Sequence, residues 1–115
     1  MWLYLWLILD WTGLHVEPPH SEIPAVVEEY FGAEEASTAL AVFWCESLHR
    51  PTAVSHTDDH GLAQISQTYW GEVYDHIWER RYEIETSVRM ARLIWTWGEH
   101  RYGDGWLLWT CGRNI

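Results

Sequence analysis

Residues 34–48 repeat apolar side chains at helical spacing, and Pro51 prevents the helix from running on. Ala36, Leu40, Phe43 and Ser47 share one stripe of this segment, with Ala39, Val42 and Glu46 beside it. Two glutamates, Glu34 and Glu35, open it at the end where the helix dipole favours negative charge. A second apolar helix is expected over residues 85–97, where Val88, Ala91 and Trp95 lie along one side and Met90, Ile94 and Trp97 next to them. An arc that wide points to a central position. No long alternating strand occurs, so the fold class is mainly α, and 115 residues suit one domain over 1–115.

The remaining segments fit around these two helices. Residues 14–23, with Pro18 and Pro19, read as a connection. Pro24 suits the first turn of a short helix over 25–30 that Gly32 ends. Residues 50–61 have loop composition, an irregular small hairpin at most, and 66–70 begin another helical turn. Residues 72–82 are mixed and aromatic, helix or helical loop. Gly98, Gly103 and Gly105 punctuate the tail before a last short element at 106–110. Residues 1–9 form an apolar run, too short to span a bilayer as a helix and without the basic start of an export signal. A buried element, the remnant of a signal and a start chosen within a longer gene all fit that run.

Seventeen acidic groups face seven basic ones, all arginine, for a formal charge of -10. That balance excludes a phosphate-neutralising surface and with it nucleic acid as a partner. It also disfavours attraction to anionic membranes. Ten Trp, six Tyr and two Phe exceed the needs of a core this size, and the surplus suits a groove for sugar rings. Cys45 and Cys111 are too few for a zinc cluster and leave two free thiols or one disulfide equally open. His56 and His60 stand four apart in loop sequence without a third ligand, so no metal and no cofactor is expected.

Glu46 stands out chemically. A glutamate at the C-terminal end of an apolar helix, with no Lys or Arg one turn back, has its charged form disfavoured by desolvation and by the helix dipole. Such a carboxyl can act as an acid near neutral pH. Asp58 and Asp59 follow on the next loop as candidate second carboxylates, although paired loop aspartates also serve as plain turn formers.

Cys45-Glu46-Ser47, then Pro51-Thr52-Ala53-Val54-Ser55, then Gly61-Leu62-Ala63-Gln64-Ile65 resemble, in order and spacing, the signature of the soluble lytic transglycosylase and goose-type lysozyme superfamily. There a helix ending in Glu-Ser precedes an Asn/Asp-Pro-x-Ala-Val-Ser loop and a Gly-Leu-x-Gln-Ile segment. The resemblance covers residues 25–112, and its phage-type branch is the nearer one, since the late Ala-Tyr-Asn-Ala-Gly segment is absent. It implies a lysozyme-like helical domain that cleaves the β-1,4 bond between N-acetylmuramic acid and N-acetylglucosamine in peptidoglycan. Glu46 takes the place of the catalytic acid, and Asp59 is the aspartate that assists. Ser47, Gln64, Ile65, Tyr69 and Trp70 fall among the residues that shape or line the substrate cleft.

The resemblance further implies a Cys45–Cys111 disulfide and an extracellular, periplasmic or virion-associated setting. Peptidoglycan strands would be the partner, with other phage or cell-wall proteins as companions. The rival implied reading is a non-catalytic glycan-binding or structural component of a phage particle or secretion apparatus. The chain departs from the pattern where His49 and Arg50 precede the proline, where Asp58 replaces a turn glycine, at Ala63 in place of Met or Phe, and at Ser66 in place of Asn.

Overall fold

The computed structural model describes residues 20–114. The apolar run at 1–9 and most of the connection at 14–23 lie outside the described residues. Helix α1 is Ile23–Ser47, with Pro24 in its first turn and Gly32 breaking its dihedrals at φ 79, ψ 164. Gly32 was expected to end one helix before the next. That break is present: two helical stretches meet across a kink at Gly32, and α1 comprises both. Glycine alone visits that conformation at no steric cost. Beyond the bend, Ala36, Ala39, Val42, Phe43 and Ser47 are buried, the stripes read from the sequence.

Past α1 the chain makes a minimal antiparallel hairpin, β1 (Asp59–His60) and β2 (Ile65–Ser66), pairing Asp59 with Ser66 and His60 with Ile65. An isolated bridge joins Val54 to His60. Helix α2 (Gln67–Trp70) follows directly, its first turn capped by the Ser66 hydroxyl, which accepts from the Tyr69 N–H. Turns and a 3-10 turn at Trp78–Arg80 lead to α3 (Ile84–Tyr102).

The third helix outruns its expected end at residue 97. Gly98 lies inside it, where a Cβ would meet Leu108 Cδ1 at 2.8 Å and Gly105 Cα at 2.9 Å. The residue is there for close approach of the tail, not for termination. Gly103, at φ 79, ends the helix instead. Two 3-10 turns, Gly105–Leu108 and Cys111–Asn114, complete the fold.

The molecule is mainly helical. Its core joins α1 to α3 through aromatic packing centred on Trp106. That ring stacks on Phe31 at 5.3 Å between centroids and touches Phe43, Trp95 and Trp109. Its indole N–H donates to Glu35 Oε2 at 3.1 Å, giving the buried ring the polar partner it needs. Cys45 and Cys111 form a disulfide across a separation of 66 residues. Closing a loop of that size removes unfolded-chain entropy worth roughly 4 kcal/mol in the chain-entropy account.

Candidate active site

The segment Gly61-Leu62-Ala63-Gln64-Ile65 is almost wholly buried without belonging to a helix or a full sheet, so its peptide groups need partners from elsewhere. Three elements supply them. Ser47 at the end of α1 donates its hydroxyl to the Leu62 carbonyl at 2.6 Å. Ser87 of α3 accepts from the Ala63 N–H at 3.2 Å. Trp109 of the tail donates its indole N–H to the Ala63 carbonyl at 2.7 Å. Gly61 is held at φ 80 with no room for a Cβ, which would lie 2.8 Å from the Arg81 carbonyl. Ala63 is fully buried beneath these contacts.

Gln64 turns out of this segment at φ 52 and donates its side-chain amide to the carbonyls of Ala53 (3.1 Å) and Gly61 (3.0 Å). It therefore braces the loop that follows Pro51 while lining the groove beside Glu46. Ser47 has a different place from the cleft-shaping one expected. It is 2% exposed and lines neither space next to Glu46, so it acts by positioning the segment rather than by meeting a ligand.

Glu46 stands where two open spaces meet. The larger, about 1030 Å³, runs past Asp59 and Ile65 to Tyr69, Trp70 and Trp97. The smaller, about 350 Å³, is lined by Arg50, Thr52, Val54 and Ser55. Glu46 and Gln64 border both. The Glu46 carboxyl is half-buried, and its Oε2 accepts from the Cys111 N–H at 3.2 Å. Desolvation raises its pKa above the ordinary carboxylate range. The Cys111 N–H pulls the other way, and the negative charge of Asp59 adds to the rise.

The two loop aspartates part company. Asp59 faces the larger space, and its Oδ2 accepts from the hydroxyls of Thr57 (2.6 Å) and Ser55 (3.0 Å). Asp58 adopts φ 64 at the turn position where the resembled pattern has glycine, a conformation aspartate tolerates better than most residues. Its carboxylate turns to His60 Nε2 at 2.7 Å, and His60 Nδ1 lies 2.8 Å from the Tyr82 hydroxyl. Within β1 the side chains alternate: with Asp59 on the groove side, His60 points into the protein and is 6% exposed. Both ring nitrogens of His60 are thus engaged, leaving none for a metal shared with His56. His49 likewise sits at positive φ (55), held by a contact of 2.8 Å between its Nε2 and the Leu40 carbonyl.

The larger space is floored by Ile65, Ile94 and Trp109, each nearly buried, and walled by rings. Trp70 stacks on Tyr74 and meets Trp97 edge-on, and Trp97 meets Tyr102 the same way, all at 5.6 to 6.0 Å between centroids. Tyr69 is 78% exposed at the rim. Tyr69, Trp70 and Ile65 were anticipated here. Tyr74, Trp97, Tyr102 and Trp109 were not, because an aromatic residue gives no sign in sequence of whether it faces core or groove. No family model, curated protein or solved structure matches this chain.

Proposed function

We propose that this protein is a lysozyme-like peptidoglycan-cleaving enzyme that breaks the β-1,4 bond between N-acetylmuramic acid and N-acetylglucosamine, with Glu46 as general acid. The observation that carries this reading is a desolvated carboxyl at the junction of two open spaces. A glycan chain laid through both would place one glycosidic oxygen beside Glu46, with sugars on either side. The aromatic wall supplies faces for the apolar sides of sugar rings, and hydroxyl and amide groups of the hairpin supply directional partners. The acidic surface leaves short-range contacts, rather than long-range attraction, to hold the strand.

Protonated Glu46 delivers its proton to the glycosidic oxygen as the bond breaks, and the developing cation lies within the field of the Asp59 carboxylate. Capture by water gives a reducing muramic end. Capture by the muramoyl 6-hydroxyl, with ionised Glu46 now acting as base, gives a 1,6-anhydro end. The disulfide suits an oxidising location, extracellular, periplasmic or on a virion.

Glu46→Gln should lower peptidoglycan cleavage by about 10²–10⁴-fold while the chain stays folded. Wall suspensions assayed for turbidity, with mass spectrometry of the products, measure this and name the accepting group. Full activity in that variant removes Glu46 as the acid. Intact glycan with the unaltered protein, together with retained binding, would instead assign the groove to a non-catalytic glycan-holding role.

A further inference from the structure

The last residues of the described chain touch the acid by one route. Within residues 111–114, Arg113 bonds back to Trp109 and Leu107, and Asn114 to Thr110, all inside the tail itself. The bonds that reach α1 from this turn, among the described residues, are the Cys45–Cys111 disulfide and the Cys111 N–H donated to Glu46 Oε2. Cys45 directly precedes Glu46, and it is exposed. The bridge therefore fastens the residue next to the acid to the residue whose amide holds the acid's oxygen.

We propose that the disulfide is a positioning element for Glu46, so that opening it with a dithiol frees the Cys111 amide and unsets the acid. This rests on the enzymatic reading for its consequence but not for its test. In the step itself a dithiol transfers two electrons and two protons to the bridge. Its thiolate attacks one sulfur to give a mixed disulfide, and its second thiol resolves that bond, leaving free Cys45 and Cys111 thiols and an oxidised cyclic reagent. Without the tether, the final turn keeps its packing on Trp106 and its bonds to Leu107, Trp109 and Thr110, but no covalent link fixes Cys111 against the end of α1.

The groups that face Glu46 decide the sign. Asp59 on β1 opposes its ionisation, Arg50 after α1 lines the smaller space, Arg113 of the tail lines the larger one, and the last turn of α1 carries no basic residue. Loss of the Cys111 N–H removes a donor that favours the carboxylate. Because the turn keeps its packing on Trp106, the desolvation that chiefly raises the Glu46 pKa stays, and loss of the N–H alone makes Glu46 harder to ionise.

The test is a pH titration of the glutamate side-chain carboxyls by isotope-edited NMR on the full chain, oxidised and dithiol-reduced, with Glu46 assigned by its absence in Glu46→Gln. The Glu46 midpoint should move upward on reduction while the tryptophan near-ultraviolet signals stay native. In parallel, any cleavage activity should fall and its alkaline limb move to higher pH. An unmoved midpoint in a native-like reduced chain overturns the proposal, whether or not the protein cleaves glycan. Absent cleavage with a moved midpoint overturns the enzymatic reading alone.

If reduction unfolds the chain, the oxidised protein decides. Ionised Glu46 should slow exchange of the Cys111 amide about tenfold relative to Glu46→Gln. Equal exchange in the two proteins would sink the proposal.

Discussion

On the hairpin side of Glu46 the chain from Ala53 to Ser66 is held mainly by hydrogen bonds. Ser55 and Thr57 fix the Asp59 carboxylate, Gln64 braces two loop carbonyls, and Ser47, Ser87 and Trp109 secure the buried turn. On the other side, the wall carried by α2, the turns after it and α3 is a run of rings in edge and stacked contact, from Trp70 and Tyr74 through Trp97 to Tyr102. Hydrogen bonds fix directions, so the first wall can aim a charge at a reacting atom. Ring packing supplies area with little directional demand, so the second can hold a sugar without dictating its orientation. The walls should fail differently when altered.

The largest effect should come from the ring that supports both. Trp106→Ala empties the centre of the aromatic core and should cost about 3–5 kcal/mol in urea unfolding. A midpoint unchanged from the parent would deny that the tail and both helices share one core. Gly61→Ala attacks the hydrogen-bonded side alone. Its strained φ and its encounter with the Arg81 carbonyl should cost about 2–4 kcal/mol, and cleavage should fall with stability because the turn carries Gln64.

Trp97→Ala should separate the walls most cleanly. The ring is 46% exposed, so stability should change little, while KM for glycan rises about 3–10-fold and kcat holds. A drop in kcat alone would mean that this wall aims the substrate as well as holding it. Asp59→Asn should do the reverse and move the pH profile. The Asp59 charge raises the Glu46 pKa, so neutralising it lowers that pKa. A general acid is lost as pH rises through its pKa, so the alkaline limb should shift to lower pH.

The smallest effect is on stability through Glu46 itself. Its folded-state pKa is raised, so the stability it contributes is complete below the ordinary carboxylate range and declines as pH rises through the folded value. Glu46→Gln should therefore be the more stable protein at neutral pH, and the difference should close in acid. Thermal unfolding across that range measures it, and a difference independent of pH would contradict the desolvation account.

Local chemistry carried much of this in advance. The stripe through Ala36, Phe43 and Ser47, the stop before Pro51 and the hairpin that follows are consequences of neighbouring residues, and such consequences can be read along the chain. Gly98 was legible only as punctuation, because the reason for it lies seven residues away, at Gly105, on a different element. Asp58 and Asp59 were told apart only by the resemblance, and the left-handed turn at Asp58 sends its carboxylate to His60 while Asp59 in β1 faces the groove. Ser87 and Tyr82 had no motif to mark them. Their partners, Ala63 and His60, are more than twenty residues distant.

The sequence by itself determined a mainly helical chain, an acidic surface, and a glutamate at the end of an apolar helix. These depend on periodicity, charge count and the behaviour of Pro and Gly, all of which act over a few residues. Only the tertiary structure decided which tryptophans are core and which are wall and that Ser47 is a buried clamp, while the Cys45–Cys111 bridge is the one the resemblance implied. It also decided that the tail's backbone amide reaches Glu46. Desolvation and hydrogen bonding are set by whatever lies within a few ångströms, and around Glu46 those neighbours come from α1, the hairpin and the far end of the chain.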